Sequence, residues 1–260
     1  MRLKLLRMTD SQEFAPEADG PRFPRPLSLD VYLLGIVDFD SFLVLQDRLA
    51  DEIAAGTLGR ERGVVLVCEH PPVLTFGRDA SVADLSVPES EFVARGIETR
   101  WLARGGGAIL QSPGQLSVSA LVGVGDDARL AVTVRSILTA SIAEAASEFE
   151  VRASVDPRDP SLLVARGGWV ARTTLAARDG VTRHGAVLNV SPRMDWQRLV
   201  GDGVRPRASC LGVERRRVTP ISSVREAVVR RLSSRLRGDA YHVFTGHPWL
   251  RRTKRLVESV

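Results

Sequence analysis

EHPPVLTFGR, residues 69–78, is the stretch on which the fold reading turns. It follows VVLVC (64–68), a continuous apolar run suited to a strand buried on both faces. Pro71 and Pro72 hold the backbone extended and remove two N–H donors, so that strand must end or kink there. Val73 to Phe76 then starts a second short strand. Gly77 lets the chain pass close to another backbone, and Arg78 can hold a carboxylate or cap a neighbouring loop. His70, placed before a proline, reads as a structural histidine, and Cys68 as an inert core thiol.

Upstream, LDVYLLG (29–35) reads as a strand. Asp38 stands as a helix N-cap, Phe42, Leu45, Leu49 and Ile53 recur at helical spacing, and Gly56 sits where a C′ glycine belongs. Residues 1–27, with Pro16, Gly20, Pro21, Pro24 and Pro26, read as a mobile tail. Downstream, IETRWLAR (97–104) leads into a glycine run at 105–107, and LSVSALV (116–122) alternates as a half-buried strand does. Residues 128–149 form the longest helix pattern, with Val134, Ile137, Leu138, Ile142 and Ala145 on one stripe. Two strands follow, about 168–177 and 181–191, joined through Arg178-Asp179-Gly180, a hairpin signal. Ser223-x-x-Glu226 reads as a capping box opening a helix that ends near Gly238, and 247–260 as a short helix. Strands arriving in consecutive groups predict an α+β domain over 28–240 with a C-terminal extension, 241–260. Its sheet is expected to be mixed, mainly antiparallel, and flanked by helices.

A chain of 260 residues with 44% hydrophobic content is one large domain, or a domain plus small extensions, with a sizeable core. No continuous apolar run reaches the ~20 residues of a membrane span, and the polar, proline-rich stretch after MRLKLLRM excludes an export signal. Two cysteines fit a reduced compartment, so the expectation is a cytoplasmic protein. The net charge of +5 comes almost wholly from arginine, the only lysines being Lys4 and Lys254. About 28 residues precede the domain, too few for a winged helix-turn-helix, and no nucleic-acid module accompanies the charge. The four histidines and two distant cysteines give no metal-ligand spacing.

Three further segments carry chemistry. RGGGA (104–108) is a glycine turn beside an arginine, where backbone N–H groups can face a carbonyl or phosphate, and Pro113-Gly114-Gln115 follows it. RHGAVLNV (183–190) sets His184 and Gly185 ahead of an apolar strand. RASCLGVERRRVTPI (207–221) holds Cys210 in a turn. With residues 69–78 and the upstream LGIVDFDSFLVLQDRLADEIAAG (34–56, including Gln46), these segments resemble the octanoyltransferases that load lipoyl domains. The resemblance covers roughly residues 30–240. It implies the fold of the biotin/lipoate protein ligases, with an acyl pocket under the glycine loop walled near Leu74, Ile109 and Val187. It implies substrate contacts at Arg78, Arg104, Gly105, Gly106, Gly107, Gln115 and Gly185, and catalytic roles for Cys210 and His184. The implied reaction needs no cofactor and no metal. It moves an octanoyl group from octanoyl-acyl carrier protein to a lysine of a lipoyl domain, through a cysteine thioester. The acceptor would be a 2-oxoacid dehydrogenase lipoyl domain or the glycine cleavage H protein.

The chain departs from that pattern at its reactive positions. Gln111-Ser112 stand where the family has His-Gly. The family lysine falls on or beside Trp169 in RGGWVAR (166–172), and the flanking Arg166 and Arg172 stay protonated and cannot accept a proton. Anchoring on Cys210 puts Leu211 in place of the family glycine. Anchoring on Gly212 and Val218-Thr219 puts Leu211 on the nucleophile position. A free thiol titrates near ~8.5, so a working Cys210 needs a helper, for which His184 is the candidate. Two other readings stay open: an ATP-dependent lipoate-protein ligase-like enzyme, and a decayed homologue that binds an acyl chain or a lipoyl domain. The arginines from 205 to 237 read first as a solvated helix face and second as a surface that steers an acidic carrier protein.

Overall fold

The structure, a computed structural model, describes residues 20–59, 61–201, 207–238 and 241–250. β1 (Ser28–Ile36) and β2 (Arg62–Glu69) lie parallel, and α1 (Phe39–Ala54) returns the chain between them. Asp38 caps α1 by accepting the Ser41 N–H at 2.9 Å, and Gly56, at φ 72°, ends it as the sequence predicts. After the two prolines, β3 (Val73–Phe76) leaves the main sheet. With α2 (Glu89–Ala94), β4 (Glu98–Trp101) and β5 (Ala108–Gln111) it makes a satellite layer, the strands in the order β4-β3-β5.

β6 (Gln115–Leu121) rejoins the main sheet, and α3 (Ala128–Glu148) leads to β7 (Ser154–Val155), β8 (Leu162–Ala165) and β9 (Gly168–Thr173). A hairpin of β10 (Ala176–Arg178) and β11 (Val181–Arg183) turns through Asp179 at φ 52° and Gly180 at φ 71°, as the Asp-Gly pair predicts. β12 (Gly185–Asn189), α4 (Met194–Gln197), α5 (Leu211–Arg215), α6 (Ile221–Arg235) and β13 (Tyr241–Thr245) complete the chain. The main sheet runs β13-β1-β2-β6-β12-β9-β8-β7. The pairs at β1 are parallel and the others antiparallel, which is the mixed, mainly antiparallel sheet expected.

Alternation in β2 sets the two faces. Val65 and Val67 join the core under α3 and α6, whereas Val64, Leu66 and Cys68 face α1. α3 is long and apolar enough to span a bilayer by length and composition, but Val134, Ile137, Leu138 and Ile142 are fully buried in this core. A third cluster, with Leu74, Phe76, Phe92, Ile97 and Leu110, fills the satellite layer.

Several expectations need correction. β6 is buried along its whole length, because its serine face turns toward an internal cavity and not toward water. The predicted strands 168–177 and 181–191 are each broken, the second by His184 at φ 59°. α6 starts at Ile221 behind Pro220 with no side-chain cap, so Ser223 and Glu226 lie inside the helix. Residues 20–27, read as tail, are anchored at two points, Phe23 (0% exposed) and Leu27, and the Phe23 N–H donates to the Arg235 carbonyl at 2.9 Å. The C-terminal stretch contributes edge strand β13 and a turn at 247–250, not the start of a helix. Residues 1–19 and 251–260, with Lys4 and Lys254, lie outside the described residues.

Candidate active site

The glycine loop is folded against its own chain. Arg104, 2% exposed, donates from one guanidinium nitrogen to the carbonyls of Gly105 (2.9 Å) and Gly107 (3.1 Å). Its other terminal nitrogen donates to the carbonyl and hydroxyl of Thr75, both at 2.8 Å. Burial, then the nearby Arg172 charge, pushes Arg104 down to about 9. Gly106, at φ 79°, donates its N–H to Asp79 at 2.7 Å. Gly77 passes so close that a Cβ there would lie 2.2 Å from the Gly106 carbonyl. Arg78 is exposed, and its backbone N–H donates to the Arg104 carbonyl at 2.9 Å. Arg104 and the loop amide of Gly106 are thus spent on the scaffold, and neither reaches out to a ligand.

His184 lines a small cavity of about 30 Å³ together with Arg104, Gln111, Ser117, Thr174 and Gly185. Its backbone N–H donates to Gln46 of α1 at 2.8 Å, which holds the left-handed turn. Next to it, the Arg183 guanidinium pairs with Asp47 and Asp51, fastening β11 to the same helix. Burial, then Arg104, depresses His184 to about 4, so the imidazole is neutral. Gln111, at the position of the family histidine, accepts from Ser117 Oγ at 2.7 Å. A Cβ on Gly185 would lie 1.9 Å from the Val118 carbonyl, so that glycine is demanded by strand packing.

A larger cavity of about 400 Å³ opens on the other side of β5. Ala108, Ile109 and Leu110 form one wall, Trp169 and Arg172 another, and Gln197, Arg198, Arg207 and Ala208 close it. Arg172 is buried, donates to the Ala108 carbonyl at 3.0 Å and stands 3.6 Å from Asp159. Trp169 is clipped to the cysteine turn: its N–H donates to Arg207 O (2.9 Å), and its carbonyl accepts from Ser209 N–H (2.8 Å). Trp169, on or beside which the resemblance sets the family lysine, therefore adjoins the cysteine turn. Leu74 is packed in the satellite core. Ile109 lines both cavities and Val187 lines the smaller one.

Cys210 is the N-cap residue of α5, and Leu211 is a fully buried core residue. This places the sulfur, not Leu211, at the turn. The thiol is 3% exposed and lines neither cavity. Burial raises its pKa, the Val213 and Gly212 N–H groups oppose this, and Glu214 adds to it. Glu214 is itself engaged, accepting from Gly167 N–H at 3.0 Å and from Ser209 Oγ. His184 and Cys210 share no cavity wall, so the geometry does not make the imidazole the helper of the thiol.

Gln115 works in the interior. It is 2% exposed, accepts from Ser112 N–H at 2.7 Å and donates to Asn189 Oδ1 at 2.8 Å. Gln197, which reaches both the larger cavity and Gln115, was not picked out from the sequence. Nothing in MDWQRLV (194–200) marks it, because only the folded chain brings α4 to β6.

Comparison with known proteins agrees with this architecture. The chain is 27% identical over 209 residues to "Octanoyltransferase" of Myxococcus xanthus, covering 77% of this chain and 57% of that longer protein. It is 31% identical over 204 residues to "Octanoyltransferase" of Geobacter metallireducens, covering 76% of this chain and 89% of the relative. Among solved structures, protein Ta0514 from T. acidophilum, with bound lipoic acid, has the same fold. The TM-score is 0.65 at 18% identity, over 86% of this chain and 91% of the other. Residues 41–234 match the model of the lipoyl protein ligase A/B catalytic domain, and the chain belongs to that family.

Proposed function

We propose that this protein is an acyltransferase of protein lipoylation, moving an octanoyl group from octanoyl-acyl carrier protein to a lysine of a lipoyl domain. One observation carries the reading: a cleft in the size range of small-molecule sites, roughly 300–1,000 Å³, is walled by β5 and bordered by Arg207 and Ala208, the residues leading to Cys210. The octanoyltransferase relatives support the reaction class. In the covalent route, Cys210 Sγ attacks the donor thioester carbonyl. The new S–C bond replaces the carrier's, and the carrier thiol leaves with the proton. The lipoyl lysine amine then attacks, the C–N bond forms and Cys210 regains its proton. The Gly212 and Val213 N–H groups face the sulfur and favour its thiolate.

A second reading, binding without turnover, is favoured by the buried, proton-retaining thiol and by Trp169 in the place of a base. Incubation with octanoyl-acyl carrier protein and an unmodified lipoyl domain separates the two. Intact mass should show an octanoyl adduct on the wild-type chain and none on Cys210→Ala, with the lipoyl domain acylated. A lipoyl domain that is bound but never acylated would establish the second reading.

A further inference from the structure

Four buried side-chain and backbone groups form an unbroken line from the larger cavity to the cysteine turn. Gln197, 2% exposed, sits in the cavity wall and donates to the Leu110 carbonyl (3.4 Å) and to Gln115 Oε1 (3.2 Å). Gln115 donates to Asn189 Oδ1 at 2.8 Å, the two being cross-strand partners at the ends of β6 and β12. Asn189, 0% exposed, donates to the Ser209 carbonyl at 2.9 Å, one residue before Cys210. One residue further on, the Val190 carbonyl accepts the Gly212 N–H at 3.0 Å, so the end of β12 and the residue after it hold both sides of Cys210.

We infer that Gln197, Gln115 and Asn189 are positioning residues that tie the cysteine turn to the occupant of the larger cavity. Each amide is fixed by its neighbours: Gln115 Oε1 also accepts from Ser112 N–H, so neither end of that side chain can turn without losing a buried bond. Low exposure makes an unmade bond at any link costly, so the line moves as a unit or not at all. Gln197 is the one member that faces the cavity. A chain lying against Leu110 displaces or presses its amide, and the Ser209 carbonyl is the far end of that push. The family resemblance places Gln115 against substrate; the geometry puts it one link behind, acting through Gln197 and Asn189.

The inference rests on the acyl-transfer reading for the use of the turn, but its test does not need turnover. Octanoic acid is titrated into the ¹⁵N-labelled full chain, and amide resonances are followed. The wild-type chain should show shifts at the wall, Ala108 to Leu110, and at the turn, Ser209 to Gly212. In Gln197→Leu the wall shifts should persist and the turn shifts vanish, and Asn189→Ala should give the same pattern if the first variant does not fold. Ser141→Ala, which deletes a buried bond to Ile137 O in α3, should leave both sets unchanged. In transfer assays, Gln197→Leu should lower kcat about tenfold, the scale of one buried hydrogen bond, with KM within about twofold. Turn resonances that stay still in the wild-type chain, or still move in Gln197→Leu, would overturn the inference. Absence of transfer by the wild-type chain would overturn the proposed function and leave the resonance result to stand or fall by itself.

Discussion

The two cavities on either side of β5 share Ile109 and little else. The smaller is walled by Arg104, His184 and Gly185, where the chain follows the octanoyltransferase pattern, and by Gln111, where it departs from it; Arg104 and Gln111 bond to the protein itself. The larger is walled by Trp169 and closed by residues 207 and 208, where the pattern breaks. The matched Arg104 and Gly185 on the first side are engaged with the framework, whereas on the second side Trp169 lines the larger space.

The most severe way to break this contrast is to remove the clamp on the framework side. Arg104→Met removes a guanidinium donor from the carbonyls of Thr75 and Gly105, and leaves Gly107 only the Gly77 N–H at 3.4 Å. It should cost about 3–5 kcal/mol, since several buried acceptors lose a charged donor at about 1–3 kcal/mol apiece, measured by urea unfolding. A loss below about 1 kcal/mol would mean that the loop is not held from within. Acid comes next. His70 and His184 are both held at about 4 against an ordinary 6.5, chiefly by burial. The unfolded chain binds their protons first, so stability is present above 6.5 and is lost as pH falls toward 4. Each histidine contributes roughly 3 kcal/mol to that loss, and His70→Gln should flatten the pH dependence of the unfolding midpoint.

On the other side, Trp169→Lys sharpens the contrast. A cation beside the cysteine turn should lower the thiol pKa and raise the transfer rate by about tenfold, or 1.4 kcal/mol, with little change in thermal midpoint. An unchanged rate would show that the indole, not the missing base, suits the ligand. The smallest effect lies away from both cavities. Arg230 and Arg231 pair with Glu148, and Arg235 with Glu144, across the α3–α6 face. Arg230→Gln should change stability by under about 1 kcal/mol and leave acyl transfer unaffected by salt at that site. On α6, Arg230, Arg231 and Arg235 are thus paired with acids of α3.

Local pattern was enough for the frame. Helical spacing with Asp38 and Gly56 at its ends defined α1, and the apolar run defined β2. Pattern failed where a neighbour decides. The alternation of LSVSALV was read with the right sidedness and the wrong exposure, because Ser117 and Ser119 face an interior cavity. Ser223 and Glu226 had the spacing of a cap, yet Pro220 starts the helix earlier. The site divided in the same way. The candidates Cys210 and His184 followed from the resemblance, whereas Gln197 and the engaged state of Arg104 depend on chain segments far apart in sequence.

Phe23 has a practical consequence. Its ring, with no solvent exposure, fills a socket in the helical layer, and Arg235 and Arg237 hold the carbonyls of Pro21 and Pro24. Anyone trimming the protein at Ser28, where composition invites the cut, would empty that socket and expose the greasy ends of α3 and α6. Shortened forms intended for crystallisation or assay should start no later than Gly20.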